Sequence, residues 1–233
     1  MKIKMKNKII WITGGTKGIG IETAKLFTSN KATVIVSGRN DMGLTIANIE
    51  FIRCDVSNSA SVESAYNTII EKYNRIDVLI NNAGVISYSP LHEIEENEFD
   101  RLMNINLKGQ FLVSKIVLPK MIENKSGKIV GIHSIVSFDT FANAGLYSAS
   151  KAASKKLMEC LREEVRQFGI DVINIYPGAT ETDMWDKNSK AEREGRMMFA
   201  EDVAMGIYNA VATSYNSRMI VEEVVLRPKL GNL

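Results

Sequence analysis

The chain has 233 residues, of which 45% are hydrophobic and 24% are charged, and its formal net charge at pH 7 is +2. This length and composition are typical of a globular protein, and we expect residues 1–233 to form one domain. The small net charge gives no indication of a nucleic-acid or acidic-polymer partner. The two cysteines (Cys54 and Cys160) and the two histidines (His92 and His133) predict neither a disulfide framework nor a metal site.

The first apolar run extends only from Ile9 to Ile12 and ends at a polar glycine turn, so it is shorter than the core of a signal peptide. No stretch of the sequence approaches the ~20 apolar residues of a membrane span. We therefore expect a cytoplasmic protein with no membrane partner.

Short apolar, β-branched runs alternate along the chain with amphipathic segments of helical length. The apolar runs cover 8–13, 32–37, 49–54, 77–82, 127–134, 170–177 and 222–228. The helical segments cover about 18–29, 59–73, 97–123, 147–168 and 200–213. This alternation predicts βαβ units and an α/β fold with a doubly wound parallel sheet of about seven strands, covered by helices on both faces. The segment from Arg39 to Ile49 is short for a full crossover helix, and we expect an abbreviated connection there.

The sequence TGGTKGIG, residues 13–20, lies between the first strand and the first helix. Glycine inside an element is less favourable than alanine by about 1 kcal/mol, so this turn must need bare backbone. In a doubly wound sheet this turn is where a dinucleotide binds, because free N–H groups at the start of a helix attract phosphate. The spacing Gly14-x-x-x-Gly18-x-Gly20 differs from the G-x-G-x-x-G form, and a purely structural turn is the alternative.

Tyr147 and Lys151 are four residues apart, so on a helix they share one face. A lysine ammonium beside a phenol favours the phenolate and lowers the tyrosine pKa, which makes Tyr147 a candidate general acid/base. Ser134 ends an apolar strand in the region where α/β sheets hold ligands. The alternative is a surface Tyr–Lys pair and a serine in an ordinary turn.

Together these segments resemble the classical short-chain dehydrogenase/reductase family, from about residue 8 to residue 184. The resemblance rests on TGGTKGIG at 13–20, CDVS at 54–57, NNAG at 81–84, NINLKG at 104–109, the serine, tyrosine and lysine named above, and YPGATET at 176–182. It implies a single Rossmann-type domain and an oxidoreductase, such as a carbonyl reductase, that transfers a hydride between a nicotinamide cofactor and a small-molecule carbonyl or alcohol. A dinucleotide-binding sensor or scaffold without turnover is the alternative, and the intact catalytic residues favour the enzyme.

The resemblance also implies roles for individual residues. Tyr147 would protonate the carbonyl oxygen during reduction, and Ser134 would hold that oxygen by a hydrogen bond. Lys151 would hold the nicotinamide ribose and lower the pKa of the tyrosine, and Asn106 would anchor a water that links Lys151 to solvent. The implied cofactor contacts come from the glycine turn and the segments after the later strands: Gly14, Thr16, Lys17, Gly18, Ile19, Gly20, Gly38, Arg39, Asp55, Val56, Asn82, Ala83, Gly84, Tyr147, Lys151, Pro177, Gly178, Thr180 and Thr182.

The charge at the end of the second strand favours NADP(H) over NAD(H). Family members specific for NAD usually carry an acid there for the ribose hydroxyls, whereas this chain has Gly38 followed by Arg39. Lys17 lies inside the glycine turn. Two cations near one ribose suit a 2′-phosphate, which arginine can bind in a fork. The alternative is that both cations are solvated surface residues.

The expected substrate contacts are Ser134, Tyr147, His133 and Trp185. His133 stands where family members commonly have a small residue, and it either lines the pocket or packs beside the sheet. The sequence does not decide between ketone, aldehyde, oxo-acyl and alcohol substrates. Family members usually pair through the two long helices that correspond here to about 97–123 and 147–168, so we expect a homotetramer or a homodimer.

Overall fold

The computed structural model describes residues 5–41, 43, 45–185, 187–213 and 219–231. Within these residues, parallel strands form one seven-stranded sheet in the order β3-β2-β1-β4-β5-β6-β7. The strands are β1 (Ile9–Thr13), β2 (Thr33–Gly38), β3 (Ile49–Arg53), β4 (Val78–Asn81), β5 (Gly127–Ile132), β6 (Ile170–Pro177) and β7 (Glu223–Leu226). The predicted doubly wound sheet is confirmed.

Helices cover both faces of the sheet. The described α-helices are α1 (Gly18–Ser29), α2 (Ser59–Tyr73), α3 (Glu96–Met103), α4 (Gly109–Glu123), α5 (Gly145–Val165), α6 (Lys187–Glu192) and α7 (Ala200–Thr213). Helices α1 and α7 pack on one face, and α2, α4 and α5 pack on the other. The described residues between Arg39 and Ile49 contain no helix, in agreement with the predicted short connection.

The central strands are buried on both faces, which explains why they form continuous apolar runs in the sequence. Along β1, Ile10 and Ile12 belong to the core beneath α1 and α7. Ile9 and Trp11 belong to the core beneath α2, α4 and α5. The indole N–H of the fully buried Trp11 donates to the Ser37 hydroxyl at 2.9 Å, so burial leaves no unpaired donor on this side chain.

The helix predicted over 97–123 is interrupted by one wide π-helical turn, Asn104–Lys108, between α3 and α4. Such turns are frequent at functional sites. Here the turn carries Asn106, whose Oδ1 accepts from the Val85 N–H at 2.9 Å and whose Nδ2 donates to the Val85 carbonyl at 2.9 Å. The Asn106 Nδ2 also donates to the Ser150 hydroxyl at 3.0 Å, which ties this turn to α5.

Because the strands are parallel, their carboxyl ends lie along one edge of the sheet. The predicted cofactor and catalytic segments follow β1 to β6 in turn at that edge. Ligands of doubly wound folds bind outside this edge.

Candidate active site

A cavity of about 810 Å³ opens along the carboxyl edge of the sheet. Its volume lies within the range of small-molecule and cofactor sites. All of the predicted catalytic, cofactor and substrate residues line it, with the exception of Gly20 and Asn106. The structure therefore brings together segments that lie far apart in the sequence.

The glycine turn is shaped by its neighbours in the fold as well as by the cavity. Gly14 has a φ of +62°, and a Cβ there would lie 2.8 Å from the Ala83 Cα. A Cβ on Gly20 would lie 2.5 Å from the Gly14 carbonyl oxygen and 2.6 Å from the Asn82 Nδ2. The same Asn82 amide donates to the carbonyls of Thr13 at 3.0 Å and Gly14 at 2.9 Å. Gly20, predicted as a cofactor contact, therefore serves the packing of the turn and lies outside the cavity wall.

Bare backbone keeps the cavity open at two further positions. A Cβ on Gly18, which has a φ of +53°, would approach the Thr182 side chain at 3.3 Å. A Cβ on Gly84 would lie 3.3 Å from both the Asn106 Oδ1 and the Lys151 Nζ. Side chains at these positions would fill the space beside α1 and beside Lys151. The residues present therefore fit a dinucleotide lying close to the backbone.

Positive and negative groups meet where β2 and β3 end. Lys17 and Arg39 are exposed and both line the cavity. The Asp55 carboxylate accepts from the Ser57 N–H at 3.0 Å and from the Ser57 hydroxyl at 2.7 Å. These hydrogen bonds lower the pKa of Asp55, and the nearby charge of Arg39 adds to the effect. Asp55 is therefore ionised at neutral pH.

Ser134, Tyr147 and Lys151 meet between the end of β5 and helix α5, and all three are buried. The Lys151 Nζ donates to the Ile132 carbonyl at 2.9 Å. Burial lowers the pKa of Lys151 from 10.5 to about 8. Tyr147 and Lys151 lie on one face of α5, as their spacing in the sequence predicts.

The pKa of Tyr147 differs from the prediction. Burial raises it above the usual value for a phenol, and the hydrogen bond with Ser134 opposes that rise only in part. The expected lowering by Lys151 is wrong for this geometry, because the lysine ammonium is bonded to the Ile132 carbonyl. Tyr147 therefore holds its proton at neutral pH.

His133 packs within the fold. Its side chain is 3% exposed, with Nδ1 at 3.0 Å from the Ser154 Oγ and Nε2 at 3.1 Å from the Asn174 Oδ1. The ring stacks on Tyr176 with centroids 5.5 Å apart. Burial lowers the pKa of His133 to about 3, so the ring is neutral. Both ring nitrogens are occupied by the fold, which favours the packing interpretation over direct substrate contact.

Aromatic side chains line the cavity beside Tyr147. The ring of Tyr88 lies 6.1 Å from that of Tyr147 and stacks on Trp185 at 6.0 Å and 20°. The Trp185 indole donates to the Thr180 carbonyl at 2.9 Å, and the Arg193 guanidinium lies over the indole ring at 5.3 Å. Sequence reasoning missed Tyr88, because a single tyrosine in the loop after β4 belongs to no periodic pattern. Its only signal in the sequence is an aromatic residue four positions after the NNAG segment ends at Gly84.

Comparison with known proteins identifies the family. A model of the family described as short chain dehydrogenase matches residues 8–193. The chain is 32% identical to a sepiapterin reductase of Chlorobaculum tepidum, with 97% of this chain and 98% of the relative covered. It is 27% identical to an uncharacterized oxidoreductase of Staphylococcus epidermidis, with 97% and 99% covered. The chain belongs to the short-chain dehydrogenase/reductase family, as the sequence resemblance predicts, and is an oxidoreductase of that family.

Solved structures agree with this assignment. ElxO, solved with NADP bound, superimposes with a TM-score of 0.86 at 28% identity, covering 95% of this chain and 97% of ElxO. A 3-ketoacyl-(acyl-carrier-protein) reductase of Brucella melitensis, complexed with NADH, gives a TM-score of 0.85 at 24% identity, with 95% and 98% covered, which shows a shared fold. The fold is one that binds a nicotinamide dinucleotide.

No helix among the described residues is both long and apolar enough to cross a bilayer. No group of three or more His, Cys, Asp or Glu side chains within the described part of the chain is placed to hold a metal ion.

Proposed function

We propose that this protein is an NADP(H)-dependent oxidoreductase that transfers a hydride between nicotinamide and a carbonyl or alcohol substrate, with Tyr147 as the general acid/base. The observation that carries this proposal is the meeting of Ser134, Tyr147 and Lys151 in the same cavity that Lys17 and Arg39 line. Membership of the family supports the reaction class.

The cofactor is held by groups along the whole sheet edge. The turn at Gly14 and Gly18 offers backbone N–H groups at the start of α1 to the phosphates. Asp55 and Val56 would lie beside the adenine, and Thr180 and Thr182, which follow β6, would bind the nicotinamide amide. The remaining proposed contacts are those of the cavity wall: Thr16, Ile19, Gly38, Asn82, Ala83, Gly84, Pro177 and Gly178.

Preference for NADP(H) follows from charge. Lys17 and Arg39 are two cations on one cavity wall, and Gly38 contributes no acid that would repel a 2′-phosphate. Guanidinium binds phosphate with two parallel hydrogen bonds, which are stronger than bonds between neutral groups. The NADP-bound structure of ElxO supports the same choice.

The bound cofactor supplies the hydride, and the protein supplies the proton and the positioning. Tyr147 donates its proton to the carbonyl oxygen during reduction, which suits a buried phenol whose raised pKa keeps it protonated. Ser134 donates a hydrogen bond to the same oxygen. Lys151 then turns from the Ile132 carbonyl toward the phenolate, whose negative charge its ammonium stabilises. Acid catalysis of this kind typically contributes 10²- to 10⁴-fold.

Asn106 acts through the one acceptor position that it has left. Its two amide hydrogens go to the Val85 carbonyl and the Ser150 hydroxyl, and its Oδ1 accepts from the Val85 N–H. An amide oxygen has two acceptor sites, so one remains for a water beside Lys151. Such a water returns the proton to Lys151 and Tyr147 from solvent.

The test is a screen of ketones, aldehydes, oxo-acyl thioesters and alcohols, followed by NADPH or NADP absorbance. Sepiapterin belongs in the panel because a relative is named for its reduction. On the best substrate, Tyr147→Phe should lower turnover by at least ~10²-fold while leaving folding and NADPH affinity nearly unchanged. Ser134→Ala should lower turnover alone, and Lys151→Ala should lower both turnover and cofactor affinity.

Tyr66→Phe is the matched control, because Tyr66 is a partly buried phenol on α2, away from the cavity. It should leave turnover at the level of the unmodified protein. Near-normal turnover by Tyr147→Phe would show that this tyrosine is not the acid. Tight NADPH binding without turnover of any compound in the panel would favour the silent sensor instead.

A further inference from the structure

Three consecutive residues at the carboxyl end of β5 each contact helix α5. The Ile132 carbonyl accepts from the Lys151 Nζ at 2.9 Å. The His133 Nδ1 lies 3.0 Å from the Ser154 Oγ. The Ser134 hydroxyl hydrogen-bonds the Tyr147 phenol. These three contacts hold the strand that carries the serine against the helix that carries the tyrosine and the lysine.

The outer two contacts cannot be permanent during the proposed reaction. Tyr147 exchanges its bond with Ser134 for one with the substrate oxygen, and Lys151 leaves the Ile132 carbonyl to stabilise the phenolate. The middle contact involves no reacting atom. The bond between His133 and Ser154 can therefore persist while the other two contacts change partners.

The hydrogen positions of the middle contact follow from its partners. The Asn174 Oδ1 can only accept, so the His133 Nε2 carries the hydrogen. The neutral ring then leaves Nδ1 as an acceptor for the Ser154 hydroxyl, whose single hydrogen is shared with the Lys151 carbonyl at 3.1 Å. The imidazole thus joins β6, β5 and α5 in one hydrogen-bonded chain.

The ring is also fixed by packing. It stacks on Tyr176 of β6, and Gly131 gives it room, because a Cβ there would lie 2.6 Å from the His133 Nε2. Asn174 is fully buried. A ring enclosed in this way has little freedom to release Ser154.

We propose that His133 is a positioning residue whose bond to Ser154 sets the distance between Ser134 on the strand and Tyr147 and Lys151 on the helix. This inference rests on the proposed function, because it concerns the geometry of that reaction. A displacement of about 1 Å in a catalytic group can lower a rate by 10²-fold, so the loss of this tie should be visible in turnover.

Three substitutions separate the two bonds of the imidazole. His133→Asn places an oxygen acceptor near the position of Nδ1 and keeps the Ser154 bond. His133→Gln places an amide donor near Nε2 and keeps only the Asn174 bond. His133→Leu keeps neither. We expect kcat to fall about 10- to 100-fold in the leucine and glutamine variants and to be largely restored in the asparagine variant.

Ser154→Ala removes the same bond from the helix side and keeps the proposal testable if a His133 variant fails to fold. It should lower kcat as His133→Leu does, with little change in the KM for the carbonyl. Ser114→Ala is the matched control, because Ser114 is a buried helix serine that accepts from the Asn81 amide at 2.9 Å and ties α4 to β4. It should lower stability and leave kcat unchanged.

If His133 were only structural, all three substitutions would lower the free energy of unfolding. The kcat of each variant would then equal that of the unmodified protein at temperatures where the variant is folded. That result, or an asparagine variant no better than leucine, would overturn the proposal. If the unmodified protein reduces no carbonyl, the proposed function fails by itself. The positioning role is then tested by NADPH affinity, measured by fluorescence titration. His133→Leu and Ser154→Ala should weaken NADPH binding, and His133→Asn should leave it unchanged. Equal NADPH affinities in all three variants would overturn the positioning role.

Discussion

Lys151→Met measures the stability that the protein gives up to bury an ammonium group. Lys151 is 5% exposed, and its pKa falls from 10.5 to about 8. Since one pKa unit corresponds to about 1.36 kcal/mol, the charged lysine destabilises the folded state by about 3 kcal/mol relative to a solvated one. Methionine removes that cost but leaves the Ile132 carbonyl without its donor, which costs about 1–3 kcal/mol. Near pH 7 the variant should therefore be inactive, yet as stable as the unmodified protein or up to about 2 kcal/mol more stable.

The pH dependence of this difference is the sharper measurement. Between pH 8 and 10.5 the folded state has lost the Lys151 proton while the unfolded state still holds it. Stability rises with pH wherever the unfolded state binds more protons, so the unmodified protein gains stability over this range. Methionine does not titrate. The stability of the variant relative to the unmodified protein should therefore be greatest below pH 8 and fall by about 3 kcal/mol by pH 10.5.

Urea unfolding of both proteins without cofactor, from pH 7 upward, gives the free energies directly. Lys156→Met is the control, because Lys156 is exposed on the same helix and pairs with Glu159, which raises its pKa. The Lys156 variant should show no such fall below pH 10.5. A constant difference between Lys151→Met and the unmodified protein across this range would refute the reasoning that burial, rather than pairing, governs Lys151.

Three further predictions concern the cofactor, the glycine turn and assembly. Calorimetry should show tighter binding of NADPH than of NADH, and equal affinities in the unmodified protein would contradict the NADP(H) assignment. Arg39→Asp should shift this preference toward NADH by about 10-fold or more, since a hydrogen bond to a charged group contributes about 1.5–3 kcal/mol. Gly14→Ala should destabilise the fold by more than the ~1–2 kcal/mol that a left-handed residue costs, because its Cβ would also contact Ala83. Gly145→Ala is the control and should be nearly neutral, because a Cβ there has nothing within 4 Å. Equal midpoints of unfolding for the two variants would count against this prediction. Light scattering at micromolar concentration should show a homo-oligomer formed through the stretch that exposes Phe99 and Phe111 and through α5, and a monomer would refute it.

The strands were predictable because a strand that is buried on both faces forms a continuous apolar run in the sequence. The ends of each predicted run agree with those of the observed strand to within two residues, as for 222–228 against Glu223–Leu226. The placement of Tyr147 and Lys151 on one face of α5 was predictable because residues four apart share a face on any helix. These signals are local, and local signals are what a single sequence carries.

The features that sequence reasoning missed depend on contacts between distant segments. The turn Asn104–Lys108 has the same apolar pattern as a regular helix, so its wider hydrogen bonding cannot be read from periodicity. The pKa of Tyr147 depends on how deeply the fold buries the phenol, which outweighs the residue four positions away. The sequence predicts Gly20 as a cofactor contact, but the neighbours that exclude a side chain there, Gly14 and Asn82, become visible only when β4 lies beside β1.

The bond between Asn82 and the glycine turn has a consequence for the order in which the molecule is made. Strand β1 is synthesised before the other six described strands, yet it lies in the interior of the sheet, with Trp11 opposite Ile35 on one side and Leu79 on the other. Until β4 has been synthesised, a nascent chain that has paired β1, β2 and β3 still has an open edge on β1. It also lacks the Asn82 amide that donates to the carbonyls of Thr13 and Gly14. An open strand edge is a site of mispairing, and chains of this size expose such edges during folding. A dinucleotide bound at this turn, as proposed, therefore could not assist the earliest folding of this chain, because the turn is completed only by a segment made some seventy residues later.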